Sequence, residues 1–550
     1  MSAAVRLFAS DRACLLAVVL AGLLLAAPGL GSRDLWDPDE PRTAAVTAAV
    51  VAGESWAAPR LDGRPWLEKP PLYYWLAAAA SRAAGRVDEA TVRLPANAAA
   101  ILCAVVVFFL GRALWGRRAG LLAAIVLLTT FDFAIEARWA RPDMLLALFL
   151  TFAALAAWKI CAREGAARAP SAWAAAFWAA IGLGVLTKGP VALLPIAGVV
   201  VFAAATRRGA ALRRLGVVWG PAVAALPIVA WALAWIAATG GPFPAGEVLA
   251  RFGRRITDGI HHARPPLHLL TTLPLALLPW IALLPAAIAE TWPRRSGDRD
   301  ERAPFVLSLL VAYVALFAMS AEKRGVYLLP IVPLAAILIG RLWDVRLYPW
   351  IPPPPARAIA AGLVAWLMAV GAAAVWVLAR LAAEAPALLR PAALLTAVAL
   401  AAAVAPLLLW RRAGAGGAVG LFAAGAALCS LVATHAVLPA IEPYKSPRAF
   451  GRRVAAAAGA DPVGIFRDPH RGIAWYAGRP LAVLPTTEAL AAFLSDPPRA
   501  LVISEAQAWE AAAPRAGDGA RIVERGRVGH RAFVLVEAGS AAPAGAGTVP

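Results

Sequence analysis

The chain has 550 residues, of which 61% are hydrophobic and only 16% charged, and it carries a formal net charge of +20. A soluble enzyme of this size must cover its surface with polar groups, so the composition excludes an ordinary globular fold. The arginines cluster in short links between apolar runs, so the charge reads as membrane topology and not as nucleic-acid binding.

Apolar runs of about 20 residues, long enough to cross a bilayer as helices, recur through the first 440 residues. In chain order the expected spans are 13–31, 94–114, 118–136, 142–160, 172–187, 189–205, 215–238, 267–290, 304–320, 326–343, 357–380, 389–410 and 417–438, about thirteen helices by the length rule. The first follows Arg6 and Arg12 and ends in small residues, as a signal peptide does. It is near full spanning length, which predicts an uncleaved first helix. Cys14, Cys103, Cys161 and Cys429 lie in or beside these runs without paired spacing, against a disulfide framework or a zinc ribbon.

With the N-terminus in the cytoplasm, every second link should be rich in Lys and Arg. Those links carry Arg112, Arg117 and Arg118; Lys159, Arg163 and Arg168; Arg207, Arg208, Arg213 and Arg214; Arg294, Arg295, Arg299 and Arg302; Arg341, Arg346 and Arg357; and Arg411 and Arg412. The remaining links then lie outside. The first, 32–93, holds two expected helices, 41–52 and 70–84. It and the later outside links also carry basic residues: Lys69, then Arg138 with Arg141, Lys188, Arg251 with Arg254 and Arg255, and Lys323 with Arg324. Positive charge on the translocated side opposes the topology bias. Either it pairs with local acids such as Glu136, Asp143 and Glu322, or it serves a shared anionic ligand.

Beyond about residue 441 the pattern changes. Candidate strands 463–467, 481–485, 500–504 and 531–538 alternate with helical runs such as 447–459 and 487–495, which predicts a small α/β domain, 441–538, outside the membrane. The Gly- and Ala-rich end, 539–550, reads as a disordered tail. The transmembrane domain is then 1–440.

Residues able to carry chemistry gather in the outside links. "DLWDPDEPR" (34–42) offers Asp37, Asp39 and Glu40. One reading makes Asp39 the N-cap of the following helix, with Glu40 and Pro41 in its first turn. The other makes it a general base just outside the membrane. "RPWLEKPPLYYW" (64–75) sets Glu68 and Lys69 before two prolines that stiffen the backbone, a good place for a phosphate-binding point charge, with Tyr73 and Tyr74 on the helix that follows. "EARWARPDM" crowds Glu136, Arg138, Arg141 and Asp143 into one turn, and charges this dense at a membrane edge are functional candidates. "LTKGP" isolates Lys188, and "SAEKRGVYLLP" sets Lys323, Arg324 and Tyr327 just before a span. His261, His262 and His268, with a carboxylate such as Glu68, could bind a divalent metal; loop histidines are otherwise plain surface.

Together "DLWDPDEPR", "GRPWLEKPPLYYWLAA", "ARWARPDMLLALFLTF", "GLGVLTKGPVALLP", "LPLALLPWIALLPA" and "KRGVYLLPIVPLAAIL" resemble, in order and spacing, the ArnT-type glycosyltransferases. These are bacterial lipid A aminoarabinose transferases and relatives akin to the protein O-mannosyltransferases. The resemblance covers roughly residues 30 to 345. It implies a polytopic α-helical protein of the GT-C fold. It also implies an inverting transfer of a sugar from a polyprenyl (undecaprenyl) phosphate carrier to lipid A, another glycan or a protein, at the outer face of the bacterial inner membrane. By resemblance Asp39 matches the family's essential acid, Lys69 its phosphate-contacting lysine with Glu68 beside it, and Asp143 a further site acid. Arg138, Arg141, Lys188, Lys323 and Arg324 are further candidates for the donor phosphate, and Tyr73, Tyr74, Arg251 and Tyr327 for lining the substrate. No cofactor is implied. A metal, zinc for instance, would fall to Glu68 and His262, because the Glu-His pair of the fourth outside loop reads Glu247-Val248 here. The expected partners are the lipid-linked donor, the acceptor and membrane lipids, not nucleic acid. The rival class is a multi-spanning transporter or lipid flippase; charges gathered at one face instead of the bilayer midplane favour the enzyme.

Overall fold

The computed structural model describes residues 10–162, 172–207, 209–257, 264–265, 267–292, 300–347, 376–377, 379–380, 385–467, 470–495, 500–515 and 520–538. Among them, seven helical stretches are long and apolar enough to cross a membrane: Glu89–Trp115, Asp143–Cys161, Gly220–Thr239, Arg302–Met319, Gly325–Val345, Pro386–Pro406 and Gly416–Ala458. Shorter apolar helices, Ala172–Lys188, Pro190–Ala205 and Trp280–Thr291, join them. The expected architecture, a multi-pass helical membrane protein, is what the chain forms. Where lengths differ, the cause is local. The expected first span appears as the helix Asp11–Ala26, capped by the Ser10 hydroxyl and followed by turns. The run 267–290 is broken into His268–Ala276 and Leu284–Thr291 around Pro279, which cannot donate a backbone bond. The spans expected at 389–410 and 417–438 are two helices joined without a loop within Leu389–Val432, across a kink at Gly414 (φ 67°, ψ 174°). The span expected at 357–380 falls almost wholly outside the described residues.

The bundle is bound together by one apolar core, from Cys14 in the first helix to Phe422 in the late one. Its closest approaches use small residues. A Cβ on Gly120 would lie 2.7 Å from the Arg112 backbone nitrogen, and one on Gly340 would lie 2.5 Å from that of Ala123. Such contacts let helix backbones pack directly where the solvent is lipid. Cys14, Cys103, Cys161 and Cys429 are unbridged.

The expected helix 41–52 is seen as Asp39–Val51, and the expected 70–84 as Leu72–Ala84, which closes on left-handed Gly85. Between them, strands β1 (Arg60–Leu61) and β2 (Arg64–Pro65) form an antiparallel hairpin around Asp62-Gly63, both at positive φ, the backbone that a two-residue turn requires.

The C-terminal part forms a five-stranded sheet ordered β4-β3-β5-β7-β6, with β3 (Val463–Phe466) parallel to β4 (Ala482–Leu484) and β5 (Leu501–Glu505), and β7 (Arg531–Glu537) antiparallel to β5 and β6 (Arg521–Val528). Side chains alternate across a strand. Ile465, Leu501, Ile503, Phe533 and Leu535 therefore fill one core with the helix Arg448–Ala458, while Phe466, Val502, Val534 and Val536 fill another with Thr487–Leu494 and Ala506–Ala512. Strand β6 was not expected. It is an edge strand, "RIVERGRV", in which half the residues are charged and only Val528 is buried, so it lacks an apolar signal.

Candidate functional site

The prolines around "DPDEP" break the chain at Pro38 and let a helix start at once, so that Asp39 is its first residue. No side chain caps this helix, so the capping role expected of Asp39 is not the one its carboxylate plays. The group is 4% exposed and faces three cations: Lys69 Nζ at 3.4 Å from Oδ1, with Arg141 Nε at 3.1 Å and Arg324 at 2.9 Å from Oδ2. The three come from separate segments, which the sequence joined only as candidates for one anionic ligand and not around Asp39. Burial works against a charge on Asp39, but Lys69, Arg141 and Arg324 outweigh it and hold the carboxyl well below its ordinary range.

A second ion pair lies alongside. Asp143, the first residue of its helix, is buried and bonded to Lys188, within charge-interaction range of Lys69 and Arg141. Lys188 sits at the helix C-terminus before Gly189, its ammonium 4.5 Å from the centre of the Tyr327 ring. Arg141 stacks on Trp139, at 4.3 Å, and also pairs with Glu136 at 3.1 Å. Four cations thus meet around Asp39 and Asp143, held by aromatic faces and by one further acid. Of the two explanations of the outside charges, local pairing is seen, Arg141 with Glu136 and Lys188 with Asp143, and four of these cations also converge on one place.

Other candidates fall elsewhere. Glu40 is fully buried, and its oxygens accept from Arg93, from Arg33 and from the backbone N–H groups of Trp36 and Ala140. Burial opposes its charge, yet Arg93 and Arg33 push it down to about 2; what sets Glu40 apart from Asp39 is that it is wholly enclosed, with both oxygens bonded inside the bundle. Arg138 donates to the carbonyls of Ala134 and Leu25, and Lys323 to those of Arg264 and Ser320; both spend their charge on backbone. Tyr73 is buried and donates to the Val92 carbonyl, while Tyr74 accepts from Trp66; neither is open to a substrate. Tyr327 donates to Glu322 at 3.0 Å and keeps its face for Lys188. Arg251 is half-buried on the helix Ala245–Thr257 and pairs with Glu247 one turn earlier. Glu68 pairs with Arg42 at 3.2 Å. His261 and His262 lie outside the described residues, and among those described no three His, Cys, Asp or Glu side chains gather to hold a metal.

Asp37 turns away from the cluster. Its Oδ1 accepts from the Gly472 N–H at 3.1 Å and its Oδ2 lies 3.1 Å from His470 Nδ1, both in the C-terminal part. A cavity of about 440 Å³ opens beside it, with Arg42, Glu68, Lys445 and Arg531 in its walls. Sequence reading missed His470, Arg448 and Tyr476, which meet the first loop from more than 300 residues away and belong to no recognisable motif.

The family model described as dolichyl-phosphate-mannose-protein mannosyltransferase matches residues 13–239. The chain is 30% identical over 321 residues to an undecaprenyl phosphate-α-4-amino-4-deoxy-L-arabinose arabinosyl transferase of Edwardsiella ictaluri, covering 56% of each chain. It is 30% identical over 339 residues to the protein of that name from Pseudomonas aeruginosa, covering 61% of this chain and 60% of that one. The chain therefore aligns with little more than half the length of these relatives. In fold the match runs nearly end to end: the crystal structure of ArnT from Cupriavidus metallidurans bound to undecaprenyl phosphate superposes with a TM-score of 0.79 at 22% identity, over 96% of this chain and 98% of that one.

Proposed function

We propose that this chain, ArnT-like in sequence and in fold, is an inverting glycosyltransferase that takes a sugar from a polyprenyl phosphate and attaches it to lipid A or another envelope acceptor at the periplasmic face of the inner membrane. The observation that carries this reading is the convergence of Lys69, Arg141 and Arg324 on Asp39, with Lys188 on Asp143 alongside.

A lipid-linked sugar phosphate is a single phosphodiester anion that arrives in the bilayer. Breaking its anomeric C–O bond leaves a phosphate monoester dianion, and fixed cations at that position stabilise the charge as it develops. Without donor, Asp39 is the anion that Lys69, Arg141 and Arg324 share. A docked phosphate shares those cations, loosens their hold on the carboxylate and raises its basicity. Asp39 then orients the acceptor and, where the acceptor is a hydroxyl, takes its proton. The acceptor oxygen bonds to the anomeric carbon from the side opposite the departing phosphate, so a single displacement inverts that centre. Asp143 holds Lys188 in place. Membranes bearing the Asp39→Asn or Lys69→Ala chain, supplied with undecaprenyl phosphate-α-4-amino-4-deoxy-L-arabinose and lipid A, test this. We expect transfer to fall by about 10²-fold in the first, as loss of a general base does, and by about 10²–10³-fold in the second, as loss of a charge-stabilising donor does. Wild-type rates in both would overturn the site.

A further inference from the structure

We propose that the C-terminal part is a working component of this site: His470 and Gly472 are positioning residues that hold Asp37 and, through it, the start of the helix that presents Asp39. The inference rests on the reading of Asp39 as the site acid.

Asp37 stands two residues before Asp39, and its carboxylate is seated on the C-terminal part by both oxygens, one on the Gly472 N–H and one beside His470 Nδ1, each at 3.1 Å. The seat is built, not incidental. His470 is 7% exposed, with its ring edge-on to Phe533 at a centroid distance of 5.0 Å. At Gly472 any side chain would strike Asp37 Oδ2, and its Cβ would lie 2.5 Å from Pro447 Cγ, so only glycine lets the loop come this close. The grip continues upstream. The Leu35 N–H donates to the Tyr476 hydroxyl at 2.7 Å, the Asp34 N–H donates to Glu442 at 3.0 Å, and the Asp34 carboxylate meets Arg448 and Ser446 at 2.5 Å. Downstream, Glu40 is locked to Arg33 and Arg93. Asp39 is therefore the residue between two clamps, one from the bundle and one from the C-terminal part. Its cations meet it at 2.9 to 3.4 Å, distances that a loosened loop would not keep. A misplacement of about 1 Å costs on the order of 10²-fold in rate.

The test uses the full chain in detergent with undecaprenyl phosphate-α-4-amino-4-deoxy-L-arabinose as donor. His470→Ala is expected to lower kcat by about 10²-fold and to leave the donor KM within about threefold, because the lipid still meets Lys69 and Lys188. His470→Asn, whose amide nitrogen falls near the position of Nδ1, should recover most of the rate, which a purely structural loss would not. The Asp37→Ala/His470→Ala double variant should be no slower than Asp37→Ala alone, since losing the carboxylate already removes the His470 contact along with the Gly472 one. A kcat within about twofold of wild type in His470→Ala, or no recovery in His470→Asn, overturns the proposal. If His470→Ala does not fold, Asp37→Ala reads the same contact from the loop side, and an unchanged kcat there overturns it equally. Asp39→Asn run in parallel separates the two readings. Full activity in that chain sinks the site itself, whereas an inactive Asp39→Asn beside an active His470→Ala sinks only the positioning role.

Discussion

Asp39 and Glu40 are neighbours in the sequence, alike in chemistry, and opposite in use. A helix turns by about 100° per residue, so the first turn that aims Asp39 at Lys69, Arg141 and Arg324 aims Glu40 into the bundle, against Arg93 and Arg33. Nothing local separates them, because the residues that decide lie far along the chain and the arginines look interchangeable until folded. The physical distinction is testable through Glu40. Its folded value of about 2 is depressed from the ordinary 4.5. For a depressed carboxyl the stability contributed by the charge is complete above the unfolded value and is lost as pH falls through the folded one. Glu40→Gln should thus lose about 3–5 kcal/mol at neutral pH, the cost of leaving a buried cation without its partner. The gap to wild type should narrow as pH drops from 4.5 toward 2. Thermal unfolding in detergent from neutral pH down to about pH 3 reads this window; a gap absent at neutral pH, or constant throughout, contradicts it.

Among elements, the spans were legible because length and apolarity are what a bilayer demands, and even the kink at Gly414 falls between two expected helices. The way the helices touch was not legible. In a chain with 44 glycines, no signal marks the few on which a neighbouring backbone rests. Gly120 is one, pressed against Phe108 and Arg112 of the preceding span, while Gly246, in the helix Ala245–Thr257, faces open space. Gly120→Val forces two backbones apart and should destabilise by about 1–3 kcal/mol, the range of overpacked cores. Gly246→Ala meets no atom and removes unfolded-state freedom, so it should be neutral or stabilising by up to about 1 kcal/mol. Unfolding midpoints of the two purified variants compare these directly, and equal effects would mean that the close approach at Gly120 carries no packing energy.

At the scale of the whole molecule, short apolar runs such as "VGIFR" and "RAFVLVEA", set between helical stretches, announced the C-terminal sheet, but its docking left no trace in the sequence. The docking is made by single contacts between distant residues: Asp62 with Arg471 at 2.5 Å, Asp34 with Arg448 at 2.5 Å, and Asp37 with His470 at 3.1 Å. These contacts put the first loop and the sheet on the same side of the membrane, whichever side that is. The arginine-rich links predict the side: the one holding Arg207 is expected in the cytoplasm, and the loop and sheet at the other face. Cysteine labelling can test both steps at once, because Cys14, Cys103 and Cys161 are buried and only Cys429 is partly open. With Cys429 replaced by alanine, a membrane-impermeant maleimide on spheroplasts should label Arg64→Cys and Arg525→Cys, both exposed positions, and should reach Arg207→Cys only after lysis. Labelling of Arg207→Cys alone would invert the proposed orientation. Labelling of Arg64→Cys without Arg525→Cys would separate the sheet from the loop, and with it the grip on Asp37 that sets Asp39 among its cations.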